Sequence, residues 1–396
     1  MAGGVDSSAS DPTPPAAETL AEVPVATTAA IPRDAQAFAW AIEEIDAGIW
    51  PALALRSDGV PYVVYVQQGA GSFARRGAEG AVKSAVRSGT SWDVNTIVEG
   101  NVWSPLDMAM GPDDVARVSY YHDREGVSTD LAYAVQRGDQ WETEAAFESG
   151  QSGLGYRIAV GPDGRPHMSA SNPCAGNGIE YNVRDDSGNW AVERIDSGPQ
   201  SWEDTTSMAI DPLGNPHVSY LDAQFNNLAL ASRSEAGWNV DIVDDESGSG
   251  MFSSLAIGET GRFHISYLQR TVTTTLTGVV KYATIGLDDS AWEIREVGTL
   301  QDLSFAWPGP RKFTSLVVDR EGNPWIAYSD EKVLNLAVWD GRSWQTQTVV
   351  PAGYARLGQI VSLKLDSGGH PHLAYFEVTG EDPPTGMVKY AEGTPR

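Results

Sequence analysis

Seven tryptophans recur at nearly equal intervals along this chain, and their spacing constrains the fold more than any other feature. They are separated by 52, 49, 49, 48, 54 and 52 residues, and each begins a short segment in which apolar and polar residues alternate. A period of about 50 residues with alternation at every second residue indicates a repeated unit built from β-strands. The seven positions are Trp40, Trp92, Trp141, Trp190, Trp238, Trp292 and Trp344.

Each repeat carries a second signature, in which two apolar segments flank a tight turn. The clearest copy is Asp-Pro-Leu-Gly-Asn-Pro-His-Val-Ser-Tyr over residues 211–220. Six copies have glycine at one turn position and the seventh has Asp114, residue types that tolerate a left-handed backbone. A third segment, Val-Lys-Tyr-Ala at 280–283 and 388–391, precedes the tryptophan segment, so each repeat predicts four strands. The turn glycines are Gly59, Gly164, Gly214, Gly261, Gly322 and Gly369.

Seven repeats of four antiparallel strands predict an all-β fold, a seven-bladed β-propeller of four-stranded antiparallel blades. The last repeat stops at Arg396 without its tryptophan strand, and the first is preceded by an unmatched tryptophan strand at 40–46. We therefore expect the N-terminal strand to pair with the C-terminal blade and close the ring over residues 35–396. A linear solenoid would have no reason to divide one repeat between the two ends.

Residues 1–34 are rich in Ala, Pro, Thr and Ser and are predicted to form a disordered leader. The leader resembles the tether that follows the lipid-modified cysteine of bacterial lipoproteins. It therefore predicts an exported protein, whether periplasmic, at the cell surface or secreted, whose signal sequence is not in this chain. No apolar run is long enough for membrane insertion.

The single Cys174 excludes an internal disulfide. We expect the protein to be a monomer.

The charge of the chain excludes one class of partner. With 27 Lys and Arg against 53 Asp and Glu, the formal net charge is −26, which argues against nucleic acid because phosphate binding depends on cationic side chains. The sequence has no phosphate-binding glycine loop, no His-Glu-x-x-His, no nucleophile elbow, no Cys-x-x-Cys and no EF-hand spacing. We therefore expect no cofactor and no metal ion.

The loops of such repeats divide between two faces of the ring. The connections between first and second strands are short regular turns. The second-to-third connections and the crossings between blades vary in length, and we call the face that carries them the irregular face. Variable loops on a rigid scaffold are the usual place for binding. The irregular loops are 67–80, 121–129, 172–178, 270–277, 305–312 and 377–386.

Aromatic residues fall on the crossings of the irregular face, where exposed rings could stack on the faces of sugars or on apolar ligands. The alternative is that these rings pack between neighbouring blades, as most large aromatics do. The candidate ligand-binding rings are Trp50, Trp103, Trp202, Trp307 and Tyr354, and Tyr156 and Phe252 occupy comparable places.

A polar residue follows the second strand in every repeat. Among these residues His122 differs, because four other histidines, His167, His217, His264 and His372, occupy a repeated turn position and are expected to be architectural. His122 is the candidate catalytic acid or base, with Tyr121 as its partner, against the alternative of a surface histidine. Asp222 and Asp330 are candidate ligand contacts, or local caps of their own turns.

Cationic residues also map to the irregular face, where they could attract the carboxylates or sulfates of a ligand. The alternative is that they are solvated and paired with Asp and Glu. The candidate ligand-binding arginines are Arg124, Arg270, Arg311 and Arg356, and Arg75, Arg76, Lys312 and Lys332 lie nearby.

The repeat motif at 211–220, with its Lys-Tyr-Ala and Trp-x-x-Glu strands, resembles the sialidase-superfamily-like seven-bladed repeats of exported bacterial proteins. The resemblance covers 37–396 and implies architecture alone. The Ser-x-Asp-x-Gly-x-x-Trp box of sialidases lies between the third and fourth strands, whereas Asp-Arg-Glu-Gly-Asn-Pro-Trp at 319–325 lies between the first and second. Some propeller polysaccharide lyases are similar in using His, Tyr and Arg at the mouth, but none of their motifs aligns here.

Two functions follow from these observations. The first is an exported or surface-tethered recognition protein that binds a glycan or a protein partner on the irregular face. The second is a carbohydrate-active enzyme, a polysaccharide lyase or glycoside hydrolase acting on an acidic polysaccharide, in which His122 and Tyr121 transfer protons and arginines bind carboxylates. A purely structural ring is a third possibility.

Overall fold

The structure is a computed structural model, and it contains β-strands and no helix in the part of the chain that it describes. The predicted leader, 1–34, lies outside the described residues. The described residues are 37–68, 80–123, 130–147, 156–172, 178–198, 206–272, 276–300, 312–330, 332–353, 356–381 and 384–396.

Four consecutive stretches of chain each fold into a four-stranded antiparallel sheet in which strands follow one another in chain order. The first contains β9 (Arg157–Val160), β10 (Pro166–Asn172), β11 (Gly178–Arg184) and β12 (Trp190–Asp196). The second contains β13 (Ser207–Ile210), β14 (Pro216–Asp222), β15 (Asn227–Ser234) and β16 (Gly237–Asp244). The third contains β17 (Met251–Ile257), β18 (Phe263–Val272), β19 (Leu276–Ile285) and β20 (Glu293–Leu300). The fourth contains β21 (Thr314–Val318), β22 (Pro324–Ser329), β23 (Leu334–Trp339) and β24 (Trp344–Val350).

The first two repeats differ from the expected separate sheets because one long strand joins them into a seven-stranded sheet. The shared strand is β5, whose residues up to Gly100 pair with β4 and whose residues from Asn101 onward pair with β6. The sheet contains β2 (Ile49–Leu55), β3 (Pro61–Gln68), β4 (Gly80–Ser88), β5 (Ser91–Met110), β6 (Ala116–Asp123), β7 (Asp130–Arg137) and β8 (Gln140–Phe147).

The two ends of the chain meet in the remaining four-stranded sheet. Its strands are β25 (Leu357–Leu365), β26 (Pro371–Glu381), β27 (Pro384–Pro395) and β1 (Phe38–Ala47), in that order. The N-terminal strand β1 is antiparallel to the last strand β27, from the pair Phe38 and Pro395 to the pair Ala47 and Met387. The unmatched tryptophan strand therefore completes the last repeat.

The first strand of every repeat contacts the first strands of its neighbours, and we call these the inner strands. Contacts run in order from β2 through β5, β9, β13, β17 and β21 to β25, and from β25 back to β2. Apolar clusters fill the spaces between adjacent sheets, as where Met208 and Tyr220 pack with Tyr181 of the preceding sheet. The core is thus distributed between the sheets.

The turns between first and second strands have the predicted backbone. All six turn glycines have positive φ angles, from 78° at Gly261 to 89° at Gly214, and Asp114 at the seventh position has φ 59°. In the best-matching copy, Gly214 N–H donates to the Asp211 carbonyl at 2.9 Å, and Asp211 Oδ1 accepts from two further turn N–H groups, those of Leu213 and Asn215. The left-handed turn predicted from the repeat is confirmed.

Three of the periodic tryptophans, Trp92, Trp190 and Trp238, link neighbouring sheets through a shared glutamate. Trp190 Nε1 donates to Glu144 Oε1 of the preceding outer strand at 2.9 Å, and Arg184 binds the same carboxylate. The indole edge also meets the Tyr133 ring, with centroids 5.3 Å apart. The same arrangement joins Trp92 and Arg87 to Glu43, and Trp238 and Arg233 to Glu193. The repeat of about 50 residues therefore reflects a recurring contact between sheets.

Candidate functional site

Backbone hydrogen bonds bring crossings and second-to-third loops together, as expected for one irregular face. Gly248 lies on the crossing from β16 to β17. Its N–H donates to the Asn226 carbonyl at 2.9 Å, and its carbonyl accepts from Arg270 N–H at 2.9 Å. A Cβ at Gly248 would lie 2.6 Å from the Arg270 carbonyl oxygen, and φ is +87°, so only glycine fits there. The crossing thereby holds the turn after β14 and the end of β18, which belong to neighbouring sheets, together through backbone hydrogen bonds.

The candidate catalytic pair, His122 and Tyr121, does not face one space. Both residues lie within β6, where successive side chains point to opposite faces. The Tyr121 ring stacks on Tyr156, with centroids 6.2 Å apart, while the His122 ring lies on the side of Tyr120 and Gly100. The expectation that Tyr121 assists His122 is therefore corrected: β6 extends to Asp123, so residue 121 lies in the strand and not in the expected loop.

The aromatic candidates on the crossings pack between sheets wherever the structure describes their side chains. Trp50 is only 4% exposed and lies in a core cluster with Val102 and Phe376, and Tyr156 and Phe252 are fully buried. Trp50 and Phe252 have φ angles of 55° and 54°, where the first strands β2 and β17 depart from regular pairing. The expectation that Trp50 presents an exposed ring is therefore corrected, because this irregularity turns the indole into the core.

Asp222 and Asp330 cap their own turns, which was the alternative to a direct contact with a ligand. Asp222 Oδ1 accepts from the N–H groups of Gln224 and Phe225, and Asp330 Oδ1 accepts from those of Lys332 and Val333. Asp222 is also buried. The structure therefore disfavours a direct ligand contact by these two Oδ1 atoms.

The turn that Asp222 closes presents an aromatic residue that the sequence reasoning missed. Phe225 is 65% exposed, and the next residue, Asn226, has φ 57° and donates from its side chain to Ser247 Oγ at 3.1 Å. Asn226 is also the residue bonded to Gly248, and through it to Arg270. An aspartate three residues before an aromatic, in Asp-Ala-Gln-Phe, was the available signal, because it is the pattern of an aspartate-closed turn.

The structure describes the remaining candidate residues only in part. Arg270 is half-buried at the end of β18, and Arg356 is half-buried beside β25, where its carbonyl accepts from Val378 N–H at 2.8 Å. Trp103 pairs with Tyr121 through its backbone, and its side chain is outside the description. The other candidates lie outside the described residues, and they are Trp202, Trp307, Tyr354, Arg124 and Arg311.

The repeated histidines are built into the sheets. His167 Nδ1 and His264 Nδ1 each lie 2.6 Å from a tyrosine hydroxyl, of Tyr181 and Tyr282 respectively. Burial lowers the pKa of both imidazoles to about 4, so they are neutral near pH 7. These contacts are architectural, as the sequence predicted.

Two features are absent from the described residues. No helix there is long and apolar enough to cross a membrane. Nor do three or more His, Cys, Asp or Glu in this part of the chain group in a way that could hold a metal ion.

The fold of the chain is similar to that of several solved structures, whereas its sequence matches no known family or curated protein. No protein-family model and no curated protein matches it. An ulvan lyase of polysaccharide lyase family PL25 has a TM-score of 0.55 at 12% identity, covering 87% of this chain and 94% of that one. Polysaccharide lyase Uly1 gives 0.51 at 12%, covering 93% and 94%, and a mutant of AofleA from Arthrobotrys oligospora gives 0.50 at 13%, covering 80% and 91%.

At these identities the likeness shows the fold alone. The chain has an all-β, propeller-like fold with several four-stranded antiparallel sheets, of a kind found in solved polysaccharide lyases.

Proposed function

We propose that residues 35–396 form a closed seven-bladed propeller that binds a carbohydrate through its irregular face, in an exported or surface-tethered monomer. The observation that carries the binding proposal is the exposed ring of Phe225, fixed by the Asp222 turn and tied through Gly248 to the backbone of Arg270.

The ring is supported by contacts that recur between all neighbouring repeats and also between the last and first. The inner strands contact one another in cyclic order, and β5 supplies one strand to each of two repeats, which gives seven four-stranded units. Crossing residue Gly48 also donates to the Gly386 carbonyl near the start of β27, at 2.8 Å.

The exposed Phe225 ring is suited to binding a sugar for two physical reasons. A flat exposed ring can stack on the apolar face of a pyranose, and a rigid turn loses little conformational entropy when the ligand binds. The Arg270 guanidinium, which has no ion-pair partner among the described residues, can bind a carboxylate or sulfate in a bidentate manner.

Recognition is favoured over catalysis by the position of the catalytic candidates. A proton-transfer pair must converge on one bound substrate, and Tyr121 and His122 lie on opposite faces of β6. The fold resemblance to lyases does not change this argument, because function depends on the site and not on the fold.

The test is a glycan array probed with the full chain, with neutral, uronate-containing and sulfated oligosaccharides, followed by titration calorimetry of each hit. Phe225→Ala is expected to weaken binding about tenfold, which corresponds to loss of a stacking platform. Leu213→Ala is the matched control, because Leu213 is an apolar side chain 87% exposed on a regular turn. Equal affinity of Phe225→Ala and wild type, or no glycan bound at all, would contradict the proposal.

The second candidate is a lyase or hydrolase on an acidic polysaccharide. It rests on His122, which is half-buried beside Gly100, where a Cβ would lie 3.1 Å from Nε2. Ultraviolet absorbance of an unsaturated uronate would report elimination, and new reducing ends would report hydrolysis. Turnover that disappears in His122→Ala but persists in His370→Ala, a change in a regular turn, would establish the enzyme.

A further inference from the structure

Three polar side chains lie side by side across the sheet of β13 to β16, and we call them the polar row. His217 on β14 is paired with Ser232 on β15, and Ser232 is paired with Asn239 on β16. Directly opposed residues of an antiparallel sheet present their side chains on the same face. Leu230, two residues before Ser232, belongs to a core cluster with Ile265 of the next sheet, so the polar row faces that sheet.

The repeat that contains the polar row departs from the others at two positions. No other repeat has serine where this one has Ser232. The equivalent residues are Val86, Val135, Val183 and Val338 in four repeats, and Thr284 and Glu392 in two. In the three other repeats with a histidine at the position of His217, a tyrosine replaces Leu230 and its hydroxyl contacts histidine Nδ1, as in Tyr181 with His167. His217 therefore has a different Nδ1 partner.

His217 lies between a carboxylate and a hydroxyl. Asp211 Oδ2 is 3.5 Å from His217 Nε2, and Ser232 Oγ is 2.9 Å from His217 Nδ1. Because an ionised carboxylate can only accept, the proton of the neutral imidazole is on Nε2, and Nδ1 is the acceptor. The Ser232 hydroxyl therefore donates to His217. A hydroxyl that donates to a base oriented by a third group is the arrangement that activates a nucleophile.

The base and its carboxylate are held in place by further contacts. Asp211 Oδ1 accepts from the N–H groups of Leu213 and Asn215 at 2.9 and 2.8 Å, and its Oδ2 accepts from Asn215 Nδ2 at 2.9 Å. The Phe263 ring of the next sheet meets the His217 ring edge to face, with centroids 4.8 Å apart. His217 is only 6% exposed. Its imidazole is thus fixed in direction before any substrate binds.

The polar row opens to solvent at its β16 end. Ser232 is half-buried and Asn239 is exposed. The Asn239 amide donates to Asp241 at 3.3 Å and lies on the same face as Ser232, where it can also donate to an oxygen held at Ser232. Burial lowers the pKa of His217 below its usual value, with Asp211 opposing, so the imidazole is neutral near pH 7 and able to accept a proton.

We propose that Ser232 is a nucleophile that accepts the acyl group of a carboxylic ester, with His217 as general base and Asp211 as a positioning residue. Ser232 Oγ bonds to the ester carbonyl carbon while its proton moves to His217 Nδ1. Asn239 Nδ2 donates to the carbonyl oxygen as it becomes negative. The bond to the alcohol oxygen then breaks, and the alcohol leaves with the proton from Nδ1, which gives acyl-Ser232.

Water completes the reaction by the same route in reverse. A water molecule gives a proton to His217 Nδ1 and bonds to the acyl carbon. The Ser232 oxygen leaves and takes that proton back, so the products are a carboxylic acid and an alcohol. The acyl group is short, because Phe263 and the next sheet enclose the inner side of the polar row. This site lies at the opposite end of β14 from the turn that presents Phe225, and it does not depend on carbohydrate binding.

The experiment is reaction of the full chain with an alkyl fluorophosphonate at pH 7, with the modified residue located by mass spectrometry. Ser232 is expected to react at least about tenfold faster than Ser234, an exposed serine on the same strand. His217→Gln should slow the reaction of Ser232 about a hundredfold, as loss of a general base does. Ser234→Ala is the matched control and should leave the reaction of Ser232 unchanged.

Two variants install residues that other repeats carry, so they separate loss of reaction from loss of folding. Ser232→Val removes the nucleophile, and Leu230→Tyr supplies the tyrosine partner of Nδ1 and should slow the reaction of Ser232 about tenfold. Both should keep an unfolding midpoint close to that of wild type. If His217→Gln fails to fold, Leu230→Tyr decides.

The pH profile tests the positioning role of Asp211. The reaction of Ser232 should rise with pH as His217 loses its proton, with a midpoint below pH 6.5. Asp211→Asn should move that midpoint to lower pH, because the carboxylate favours the imidazolium. Hydrolysis of p-nitrophenyl acetate should follow the same profile and fall about a hundredfold in Asn239→Ala.

Equal reaction of Ser232 and Ser234, or an unchanged rate in a folded His217→Gln or Leu230→Tyr variant, would overturn the proposal. Ser232 would then only replace the missing tyrosine as the partner of His217 Nδ1. Phe225→Ala should keep the reaction of Ser232, so failure of this site is distinguishable from failure of the carbohydrate proposal.

Discussion

The Ser362 hydroxyl oxygen accepts a hydrogen bond from the Leu53 backbone N–H at 3.1 Å, although 309 residues separate the two in sequence. The same contact joins Ser207 to Leu255, Ser254 to Leu316 and Ser315 to Leu363, in each case between consecutive repeats. The last repeat therefore contacts the first in the way that every serine-bearing repeat contacts its successor.

Ser362→Ala is expected to destabilise the protein by about 1–3 kcal/mol, because it leaves a buried N–H without an acceptor. Ser207→Ala is the matched control, since it removes the same bond between consecutive repeats. Urea unfolding followed by tryptophan fluorescence measures both. Similar losses are expected, and a negligible effect of Ser362→Ala beside a clear effect of Ser207→Ala would mean that the contact between the chain ends contributes little.

The periodic elements were predictable because each has a local cause. A tight turn needs a left-handed residue, so glycine or aspartate marks it in every repeat, and Asp114 was recognised for that reason. The tryptophan spacing follows from an indole that packs edge-on against a tyrosine ring of a neighbouring sheet, as Trp238 does on Tyr181 and Trp344 does on Tyr282. These features depend on a few neighbouring residues and recur with the repeat.

The candidate site was less predictable because it lies where the strands depart from the regular pattern of the repeat. Tyr121 was assigned to a loop, but β6 continues through Asp123, so alternation along the strand separates Tyr121 from His122. Trp50 turns inward at a strand irregularity that has no sequence signature of its own.

Glu193 should make the protein more stable above its unfolded pKa than below it. Its carboxylate accepts from Arg233 and Trp238, and the arginine hydrogen bond, with the tryptophan's contribution, lowers its pKa against the opposing effect of burial. A lowered folded pKa means that this contribution is complete above the unfolded value and disappears as pH falls through the folded value. Glu193→Gln should therefore flatten the acid limb of stability against pH, measured by urea unfolding. An unchanged acid limb would contradict the assignment.

Buried histidines predict a second loss of stability at higher pH than the carboxylates. Burial lowers the folded pKa of His264 to about 4, whereas an unfolded histidine titrates near 6.5. The folded state therefore excludes a proton that the unfolded state binds, so stability is complete above pH 6.5 and decreases as pH falls toward 4. The loss is roughly 3 kcal/mol per histidine.

Urea unfolding of His264→Gln between pH 7 and pH 4 tests this expectation, because glutamine can still hydrogen-bond the Tyr282 hydroxyl. The variant should lose less stability than wild type over this range. Leu213→Ala, a change at an exposed turn residue that does not titrate, should follow the wild-type profile. Parallel profiles for wild type and His264→Gln would contradict the role of the buried imidazole.

Asp222 is expected to act on carbohydrate binding as a positioning residue, because its Oδ1 fixes the turn that presents Phe225. Asp222→Ala removes that acceptor and should weaken glycan binding about as much as Phe225→Ala, while Asp222→Asn keeps an oxygen there and should restore affinity. Asp330→Ala is the control, since it opens an equivalent turn in another sheet. Calorimetric titration of all three variants against the best array hit measures the effect. If Asp222→Ala and Asp330→Ala reduced affinity equally, the change would reflect general loosening of the loops and not the position of the Phe225 ring.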